Sequence, residues 1–522
     1  MAEAAPEHFD ILIVGAGISG VGAACRFKER LPGKTVMVLE GRERIGGTWD
    51  LFRYPGIRSD SDMYTLGFPF RPWRGEKAIV EGAAIRSYVE ETAQAHDVDA
   101  LIRFRHRVVS ADWSSAEARW TVDVEAPEGA RRFTAAFLYM ASGYYDYARG
   151  YRPEWPGEAD FAGRIVHPQF WPEELKLAGK TVVVIGSGAT AVTLAPALAE
   201  AGATVTMLQR SPSYVVSRPS RDRLAARIGP RATRWKNVLL TAFFFNRART
   251  KPDRVRAALR KLAVADLPPG YDVDRHFNPG YNPWDQRLCL IPDADLFKAI
   301  GRGEVEVVTD RIARFTKDGI ALESGAALKA DIVVTATGLV VKLLGGVAVT
   351  VDGAAVTVAE RFNYKGMMLS GVPNLFVSFG YTNASWTLKS DLTARWVCRL
   401  LKRMERRGEA VCVAEAPDGL ARRPMLDFSS GYVQRAAASL PSQSDNAPWR
   451  VHQNYLKDLL ALRWGRLADG ALHFTPPQSS ARRGSFSEAV GAGRSLAGEE
   501  YDQGDERTPV GETVEADERG QG

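Results

Sequence analysis

Two glycine-rich turns have the residue types and the spacing that bind phosphate. The turn at 15–20 follows the apolar run 9–14, and the turn at 186–191 follows the apolar run 181–185. Each turn opens an apolar helical pattern, so each has the strand–turn–helix context of a dinucleotide site. Glycine allows a tight turn and a close approach to a pyrophosphate, which then lies at the positive end of the helix. The sequence therefore predicts two dinucleotides in one chain.

The residue that ends the second strand of each half distinguishes the two ligands. Glu40 ends the strand after the first turn, and an acidic side chain there accepts hydrogen bonds from ribose hydroxyls and repels a 2′-phosphate. Arg210 and Ser211 take that place after the second turn, where a guanidinium and a hydroxyl suit the 2′-phosphate of NADP. FAD in the first site and NADPH in the second are most simply explained by a flavoenzyme that a nicotinamide coenzyme reduces.

The composition is that of an ordinary globular protein of two or three domains. The chain has 522 residues, 45% of them hydrophobic and 25% charged, and its net charge of +6 gives no argument for nucleic acid. The four cysteines are scattered, with no C-x-x-C pair, which argues against a disulfide scaffold, a metal site and a dithiol reductase. The first strand begins within ten residues and no run reaches transmembrane length, so we expect a cytoplasmic protein.

These patterns predict an α/β fold of two Rossmann-like dinucleotide-binding domains, one for FAD and one for NADP, with a helical insertion in the NADP domain. Strand-like runs at 137–143 and 331–338 close the two halves. The segments we predict are a first part of the FAD domain at 1–145, a connector at 146–179, the NADP domain at 180–340 with its insertion at about 213–281, a return to the FAD domain at 341–475 and a disordered tail at 476–522.

The predicted insertion is basic and aromatic. It carries many arginines and lysines around the segments 235–240 and 242–245. Such a stretch suits peripheral contact with an anionic membrane surface, here the inner face of the cell membrane. It equally suits a helical insertion that caps the active site or packs between subunits of an oligomer, and we favour this second interpretation.

A twelve-residue string between the two halves indicates the type of reaction. Phe161, Gly163, His167, Trp171 and Pro172 fit the pattern F-x-G-x-x-x-H-x-x-x-W-P, at the expected place before the second glycine turn. The chain thereby resembles the Baeyer–Villiger monooxygenases, which are class B flavoprotein monooxygenases. Trp171 bears on the subclass, because the related N- and S-oxidising enzymes usually carry another aromatic residue there.

The resemblance extends over nearly the whole chain up to about residue 475. The segment 46–60 looks like the flavin-contacting part of these enzymes. The segments 61–68, 282–290 and 381–386 look like the actinobacterial branch that activates the thioamide prodrug ethionamide.

The resemblance implies a set of cofactor contacts. For FAD the positions are Gly15, Gly17, Ser19, Gly20, Glu40, Thr48, Trp49, Asp50, Leu51, Arg58, Ser59, Asp60 and Val108. For NADP they are Gly186, Ser187, Gly188, Ala189, Thr190, Ala191, Val192, Thr193, Arg210 and Ser211. Arg287 matches the arginine that the family places over the flavin, and Asp60 is expected to orient it.

The resemblance also implies a reaction. NADPH would reduce FAD, and O2 would add to give a C4a-peroxyflavin that converts a small-molecule ketone to an ester or lactone. Thioethers or thioamides would also be S-oxidised. The fixed guanidinium of Arg287 would stabilise the negative charge of the peroxide and of the tetrahedral adduct.

Three rival functions stay open at this point. One is an N- or S-oxidising flavin monooxygenase without Baeyer–Villiger activity. A second is an NADPH-dependent disulfide reductase, which the absent dithiol pair disfavours. The third is a redox sensor that binds both nucleotides without turnover, which the fingerprint and Arg287 disfavour.

Overall fold

The structure is a computed structural model that describes residues 5–426 and 428–477. The predicted tail lies, from residue 478 onward, outside the described residues. In chain order the helices are α1 Ile18–Arg30, α2 Thr48–Leu51, α3 Met63–Leu66, α4 Gly82–Ala95, α5 Ala189–Glu200, α6 Ala225–Thr250, α7 Pro252–Asp266, α8 Val273–Phe277, α9 Asp295–Gly301, α10 Trp386–Arg407, α11 Gly431–Ala436 and α12 Tyr455–Trp464. Within the described ranges, none of these helices has the length and apolar composition needed to cross a bilayer.

The strands lie between and around these helices. The first half has β1 Glu7–Val14, β2 Val36–Leu39, β3 Ile102–Arg103, β4 Arg107–Ser114, β5 Arg119–Ala126, β6 Gly129–Met140, β7 Tyr145–Gly150 and β8 Arg164–Val166. The middle has β9 Thr181–Ile185, β10 Thr204–Gln209, β11 Val215–Arg218, β12 Cys289–Pro292, β13 Val305–Thr309, β14 Ile312–Thr316, β15 Gly319–Leu322, β16 Ala327–Lys329, β17 Ile332–Thr335 and β18 Leu339–Val341. The remainder has β19 Ala348–Val351, β20 Ala354–Ala355, β21 Asn363–Tyr364, β22 Met368–Leu369, β23 Leu375–Val377, β24 Val411–Ala414, β25 Arg423–Pro424, β26 Ser442–Gln443 and β27 Leu472–Thr475.

The first sheet has the strand order β20-β19-β4-β5-β6-β1-β2-β3, with β23 beside β6. Its central strand β1 pairs in parallel with both β2 and β6. Successive side chains of a strand point to opposite faces, so Ile11 and Ile13 pack on one face with α1, α4 and α10, while Leu12 and Val14 pack on the other. Burial on both faces explains the apolar run 11–14 that ends at the first glycine turn.

The second sheet has the strand order β13-β10-β9-β17-β8 and is parallel throughout. Its central strand β9 divides in the same way, with Val182 and Val184 against α5 and α9, and Val183 and Ile185 against the opposite face. The parallel core β6-β1-β2 of the mixed first sheet and the wholly parallel second sheet confirm the predicted α/β class. The domain boundaries stay predictions, although the pairing adds two facts: β23 returns to the first sheet, and β8, inside the predicted connector, is the edge strand of the second.

The predicted insertion is mostly helical. It contains α6, α7 and α8, but it opens with the short strand β11, which pairs in parallel with β12. The sequence predicts a helical insertion at about 213–281, and β11 departs from that prediction. The run Val215-Val216 is β-branched and is buried or half-buried beside β12, which explains the strand.

Candidate active site

The first glycine turn is built by close backbone contacts at the end of β1. Gly15 has a φ of +103°, in the region that favours glycine, and a Cβ on it would lie 2.7 Å from the Ala141 carbonyl oxygen. A Cβ on Gly20 would lie 1.8 Å from the Gly15 carbonyl oxygen. A side chain at either glycine would therefore collide with the backbone and displace the turn that is predicted to bind the pyrophosphate.

A cavity of about 460 Å³ lies over this turn. Most of the residues predicted to contact FAD line it, together with the first residues of α5 and the predicted catalytic pair. The predicted residues in its wall are Gly15, Gly17, Ser19, Glu40, Thr48, Trp49, Arg58, Ser59, Asp60, Val108, Ala189, Thr190, Thr193 and Arg287. Residues from both glycine-turn regions thus meet at one cavity.

Glu40 ends β2 at the cavity wall. Its Oε2 accepts a hydrogen bond of 2.7 Å from the Ala16 N–H, and its Oε1 accepts one of 2.8 Å from the Arg42 N–H. Burial raises the pKa of Glu40, an effect that the two backbone donors oppose. The carboxylate is therefore held at the position where a ribose hydroxyl of a dinucleotide would donate to it.

Arg58 lies in the cavity wall, and two of its hydrogen-bond donor groups have no partner among the described residues. Its Nη1 donates to Asp295 Oδ2 at 2.5 Å, which ties the segment 46–60 to the start of α9. Its Nε and Nη2 are buried without a hydrogen-bond partner among the described residues. Buried donors are normally satisfied, so these two atoms fit acceptor groups of a bound cofactor. This observation and the glycine cradle both agree with a nucleotide site.

Arg287 and Asp60 form an ion pair in the cavity wall. Arg287 Nη2 lies 2.9 Å from Asp60 Oδ1, with 31% and 37% of the two side chains accessible. Burial lowers the pKa of Arg287, but the negative charge of Asp60, together with smaller contributions from nearby tyrosines, raises it overall. The pair places a permanent, oriented positive charge at the cavity.

A wall of aromatic side chains faces this pair, and the sequence analysis missed it. Tyr144 follows the small residues 141–143 after β6, Tyr145 is the first residue of β7, and their hydroxyl oxygens lie 2.5 Å apart. The Tyr144 ring stacks on Trp386 with centroids 5.0 Å apart, and Trp386 Nε1 donates to Ser19 Oγ at 2.8 Å. Burial raises the pKa of both tyrosines, so the phenols are neutral. Their position directly after a strand that ends in small residues is the signal that could have found them.

The second glycine turn repeats the construction of the first. Gly186 has a φ of +141°, and a Cβ on it would lie 2.4 Å from the Ala336 carbonyl oxygen at the end of β17. Ser187 Oγ lies 2.9 Å from Ser213 Oγ, and the space around Gly188 is open. This turn therefore keeps the same kind of cradle for a pyrophosphate.

Arg210 and Ser211 follow β10 and are exposed. Arg210→Ala is expected to weaken NADPH binding by about 1.5–3 kcal/mol, the usual cost of a lost hydrogen bond to a charged group, and to leave NADH nearly unaffected. The Kd of each coenzyme, measured by flavin reduction at varied coenzyme concentration, checks this. Equal losses for NADPH and NADH would contradict the assignment.

Several predicted cofactor residues point elsewhere. Asp50 is buried outside the cavity wall and is surrounded by four guanidiniums, with Arg42 Nη2 at 2.6 Å. These arginines hold the pKa of Asp50 below its usual value against the opposing effect of burial. Leu51, Ala191 and Val192 pack in the core of the second sheet. A cofactor contact at these four positions stays a prediction.

The fingerprint residues lie outside the cavity wall. Phe161 packs on Phe315 with ring centroids 5.9 Å apart, and a Cβ on Gly163 would lie 2.4 Å from the Asp331 carbonyl oxygen. Trp171 packs against the core of the second sheet, and Pro172 follows it at the end of the string. The string thus attaches the predicted connector to the second sheet.

His167 packs on the backbone at Gly150. A Cβ on Gly150 would lie 1.9 Å from His167 Cε1, and His167 Nδ1 accepts from the Gln169 N–H at 3.2 Å. Burial lowers the pKa of His167, so the ring is neutral at pH 7. The side chain therefore fits a positioning role rather than proton transfer.

His167→Ala is expected to lower turnover by up to roughly 10²-fold, because a misplacement far from the reacting atoms has effects of that size. Both nucleotides should still bind, since His167 is absent from the cavity wall. Flavin content and NADPH affinity measured beside turnover check this. Loss of FAD from the purified variant would make the string a folding element instead.

The thiols do not form a redox pair. Cys25, Cys289, Cys398 and Cys412 are all free and buried, and burial raises the pKa of each to about 12. Among the described residues, no group of three or more histidine, cysteine or carboxylate side chains could hold a metal ion. Dithiol chemistry therefore has no site in this part of the chain.

Comparison with known proteins agrees with this construction. Residues 9–234 match the family described as pyridine nucleotide-disulphide oxidoreductase. The steroid monooxygenase structure bound to NADP has a TM-score of 0.70 at 23% identity, over 90% of this chain and 100% of that one. An open cyclohexanone monooxygenase structure has a TM-score of 0.71 at 20% identity, with the same coverage. The fold is therefore that of flavoprotein monooxygenases with two dinucleotide-binding sheets.

Closer relatives define the family. The FAD-containing monooxygenase EthA of Mycobacterium tuberculosis is 53% identical over 478 residues, which cover 90% of this chain and 98% of that protein. EthA of Mycolicibacterium smegmatis is 51% identical, over 90% of this chain and 97% of its own. The chain belongs to this family of FAD-containing monooxygenases. The predicted family resemblance is thereby confirmed.

Proposed function

We propose that this chain is an NADPH- and O2-dependent flavin monooxygenase of the Baeyer–Villiger type, which converts a ketone to an ester or lactone. The observation that carries the proposal is the Arg287–Asp60 pair in a cavity whose wall includes residues of both glycine-turn regions. In the overall reaction, ketone, O2, NADPH and a proton give ester, NADP⁺ and water. One oxygen atom of O2 enters the ester and the other leaves as water.

Two sets of residues would hold the cofactors. The first glycine turn, Glu40 and the free donors of Arg58 would hold FAD, and the second glycine turn with Arg210 and Ser211 would hold NADPH. When bound, FAD reduced by NADPH supplies the activation of O2 for oxygen transfer. The residues of the chain would position the reactants, supply a positive charge and exclude water.

Arg287 supplies the positive charge in the proposed reaction. The carbonyl oxygen of a ketone becomes negative when its carbon is attacked, and a fixed guanidinium stabilises that charge without reorganising. Asp60 forms an ion pair with Arg287, whose Nη2 lies 2.9 Å from Asp60 Oδ1, and so restricts where the planar group lies. Asp60 is accordingly a positioning residue, and Arg287 is the proposed catalytic residue.

The aromatic wall would keep the site dry. Tyr144, Tyr145 and Trp386 present rings and neutral hydroxyls to the cavity, and the Trp386 hydrogen bond to Ser19 fixes the wall to the start of α1. Exclusion of water strengthens the field of Arg287 and limits the loss of reducing equivalents as hydrogen peroxide.

Oxidation at sulfur is the second candidate function. A thioether is a nucleophile and needs a proton donor rather than a fixed cation, and the Tyr144–Tyr145 hydroxyl pair is a neutral donor in the same cavity.

Disulfide reduction has no support, because all four thiols are buried with a raised pKa. We propose a cytoplasmic location, where NADPH is supplied.

Product analysis tests the proposal. The purified chain with FAD and NADPH is given a methyl ketone or a matched thioether, and ester and sulfoxide are measured separately. Ester formation that is stoichiometric with NADPH oxidation supports the Baeyer–Villiger assignment. Sulfoxide without ester would leave only the second candidate, and a flavin that NADPH does not reduce would support a sensor that binds both nucleotides without turnover. A panel of linear, cyclic and aromatic ketones would then identify the substrate class.

A further inference from the structure

The outer side of α6 carries a stripe of side chains at four-residue spacing, all of them exposed except the half-buried Arg247. The stripe is Arg231, Trp235, Leu239, Phe243 and Arg247, and it is called the α6 stripe below. Residues four apart are neighbours on a helix surface, and each such step turns about 40° around the axis, so the three apolar members lie within about 80° of one another with an arginine beyond each end. Their exposed fractions are 44% for the tryptophan, 53% for the leucine and 57% for the phenylalanine.

Further large apolar side chains are exposed beside the α6 stripe. Leu240 and Phe244, on the same helix, are 39% and 52% exposed. The Trp235 ring lies 6.1 Å from that of Tyr455, the first residue of α12, and α12 exposes Leu460 and Trp464 to 60% and 62%. Contiguous exposed apolar surface of this kind marks an interaction site.

All the charged side chains of α6 are cationic. The helix contains six cationic residues and no aspartate or glutamate: Arg227, Arg231, Arg234, Lys236, Arg247 and Arg249. Lys236 pairs with Asp222, and Arg249 lies 3.6 Å from Asp285. The two arginines at the ends of the stripe remain beside the apolar row, and the Arg247 guanidinium lies 5.9 Å from the centre of the Phe243 ring.

The opposite side of α6 is fixed to the protein. Arg234 is buried, and its Nη1 donates to the carbonyl oxygens of Tyr64, Thr65 and Gly67 at 3.0, 3.0 and 2.6 Å. Val238 is buried in a cluster with Tyr381, which lines the cavity. The exposed side chains therefore belong to a firmly packed helix that lies near the proposed active site.

We propose that the α6 stripe docks on an anionic phospholipid bilayer. Aromatic and aliphatic side chains would enter the headgroup boundary, while arginines at the ends of the row would reach the anionic headgroups, as amphipathic surface helices do. A second copy of this chain fits less well, because a symmetric contact would set two wholly cationic helices against each other. This inference reverses our sequence-based preference for a helix that caps the site or packs between subunits.

Co-sedimentation of the full chain with vesicles tests the proposal. Binding is expected to vesicles of phosphatidylcholine mixed with phosphatidylglycerol, weakly or not at all to phosphatidylcholine alone, and to fall as salt is raised. Leu239→Ser/Phe243→Ser is expected to lower the affinity about tenfold or more, through lost apolar contact. Arg231→Glu/Arg247→Glu is expected to abolish the preference for the anionic lipid.

Controls separate docking from folding and from general charge. Arg119→Glu/Arg302→Glu changes the net charge by the same amount on β5 and just after α9, and should keep anionic-vesicle binding. Unchanged melting temperature and NADPH oxidation in solution show that the stripe variants fold. Absence of wild-type binding to anionic vesicles overturns the proposal. A concentration-dependent dimer that Leu239→Ser/Phe243→Ser abolishes, without vesicle binding, assigns the stripe to a second copy and also overturns it.

Discussion

Arg287→Ala is expected to lower ester formation by roughly 10²–10³-fold, the cost of one preorganised donor at a developing oxyanion. The loss should fall on oxygen transfer, because reduction of the flavin depends on how NADPH lies against it. NADPH should therefore still be consumed, with hydrogen peroxide as the product in place of ester. Ester, hydrogen peroxide and NADPH consumption are measured together in the purified variant.

Arg287→Lys is the matched control. It keeps the charge but loses the planar group that Asp60 orients at 2.9 Å, so it should recover little activity. Full recovery would mean that charge alone is needed at this position. Ester formation by Arg287→Ala close to that of the unmodified protein would remove the catalytic assignment.

Gly20→Ala is expected to deplete the purified protein of FAD. The new Cβ would lie 1.8 Å from the Gly15 carbonyl oxygen, so the turn must move. Overpacking of this kind costs about 1–3 kcal/mol, which corresponds to roughly 10–10²-fold in FAD affinity if the strain is relieved by opening the turn. Flavin absorbance per protein and a titration with FAD measure the effect.

Gly33→Ala is the control for Gly20→Ala. A Cβ on Gly33 meets nothing within 4 Å, so this substitution should leave FAD content unchanged. Both variants lose one glycine near α1, but only one crowds the turn. Normal FAD content in Gly20→Ala would show that the turn tolerates a shift and is not a tight cradle.

The features that the sequence predicted are local in the chain. The first turn follows β1, and Glu40 ends the next strand, so the order of residues fixes their neighbourhood once the parallel pairing of β1 and β2 is formed. The second turn repeats this arrangement at β9 and β10. The two-sheet α/β fold followed from these repeats, and the comparisons confirm it.

The features that the sequence did not predict depend on contacts between distant segments. Tyr144 meets Trp386 across more than 240 residues, and neither position has a spacing pattern that announces the contact. Asp50 stands within the predicted flavin segment 46–60, yet its side chain lies outside the cavity wall and is surrounded by four arginines. Tertiary contacts determine which of two neighbouring polar side chains faces a ligand, and the sequence alone does not give those contacts.

The buried Arg234 gives α6 a mechanical connection to the proposed reaction centre. Its three acceptors belong to the segment that begins four residues after Asp60, and one guanidinium nitrogen holds all three. α6 is therefore joined, through one buried side chain, to the segment that follows the aspartate paired with Arg287. The helix that carries the exposed stripe and the segment that contributes Leu66 to the cavity wall are in this way held together by three hydrogen bonds.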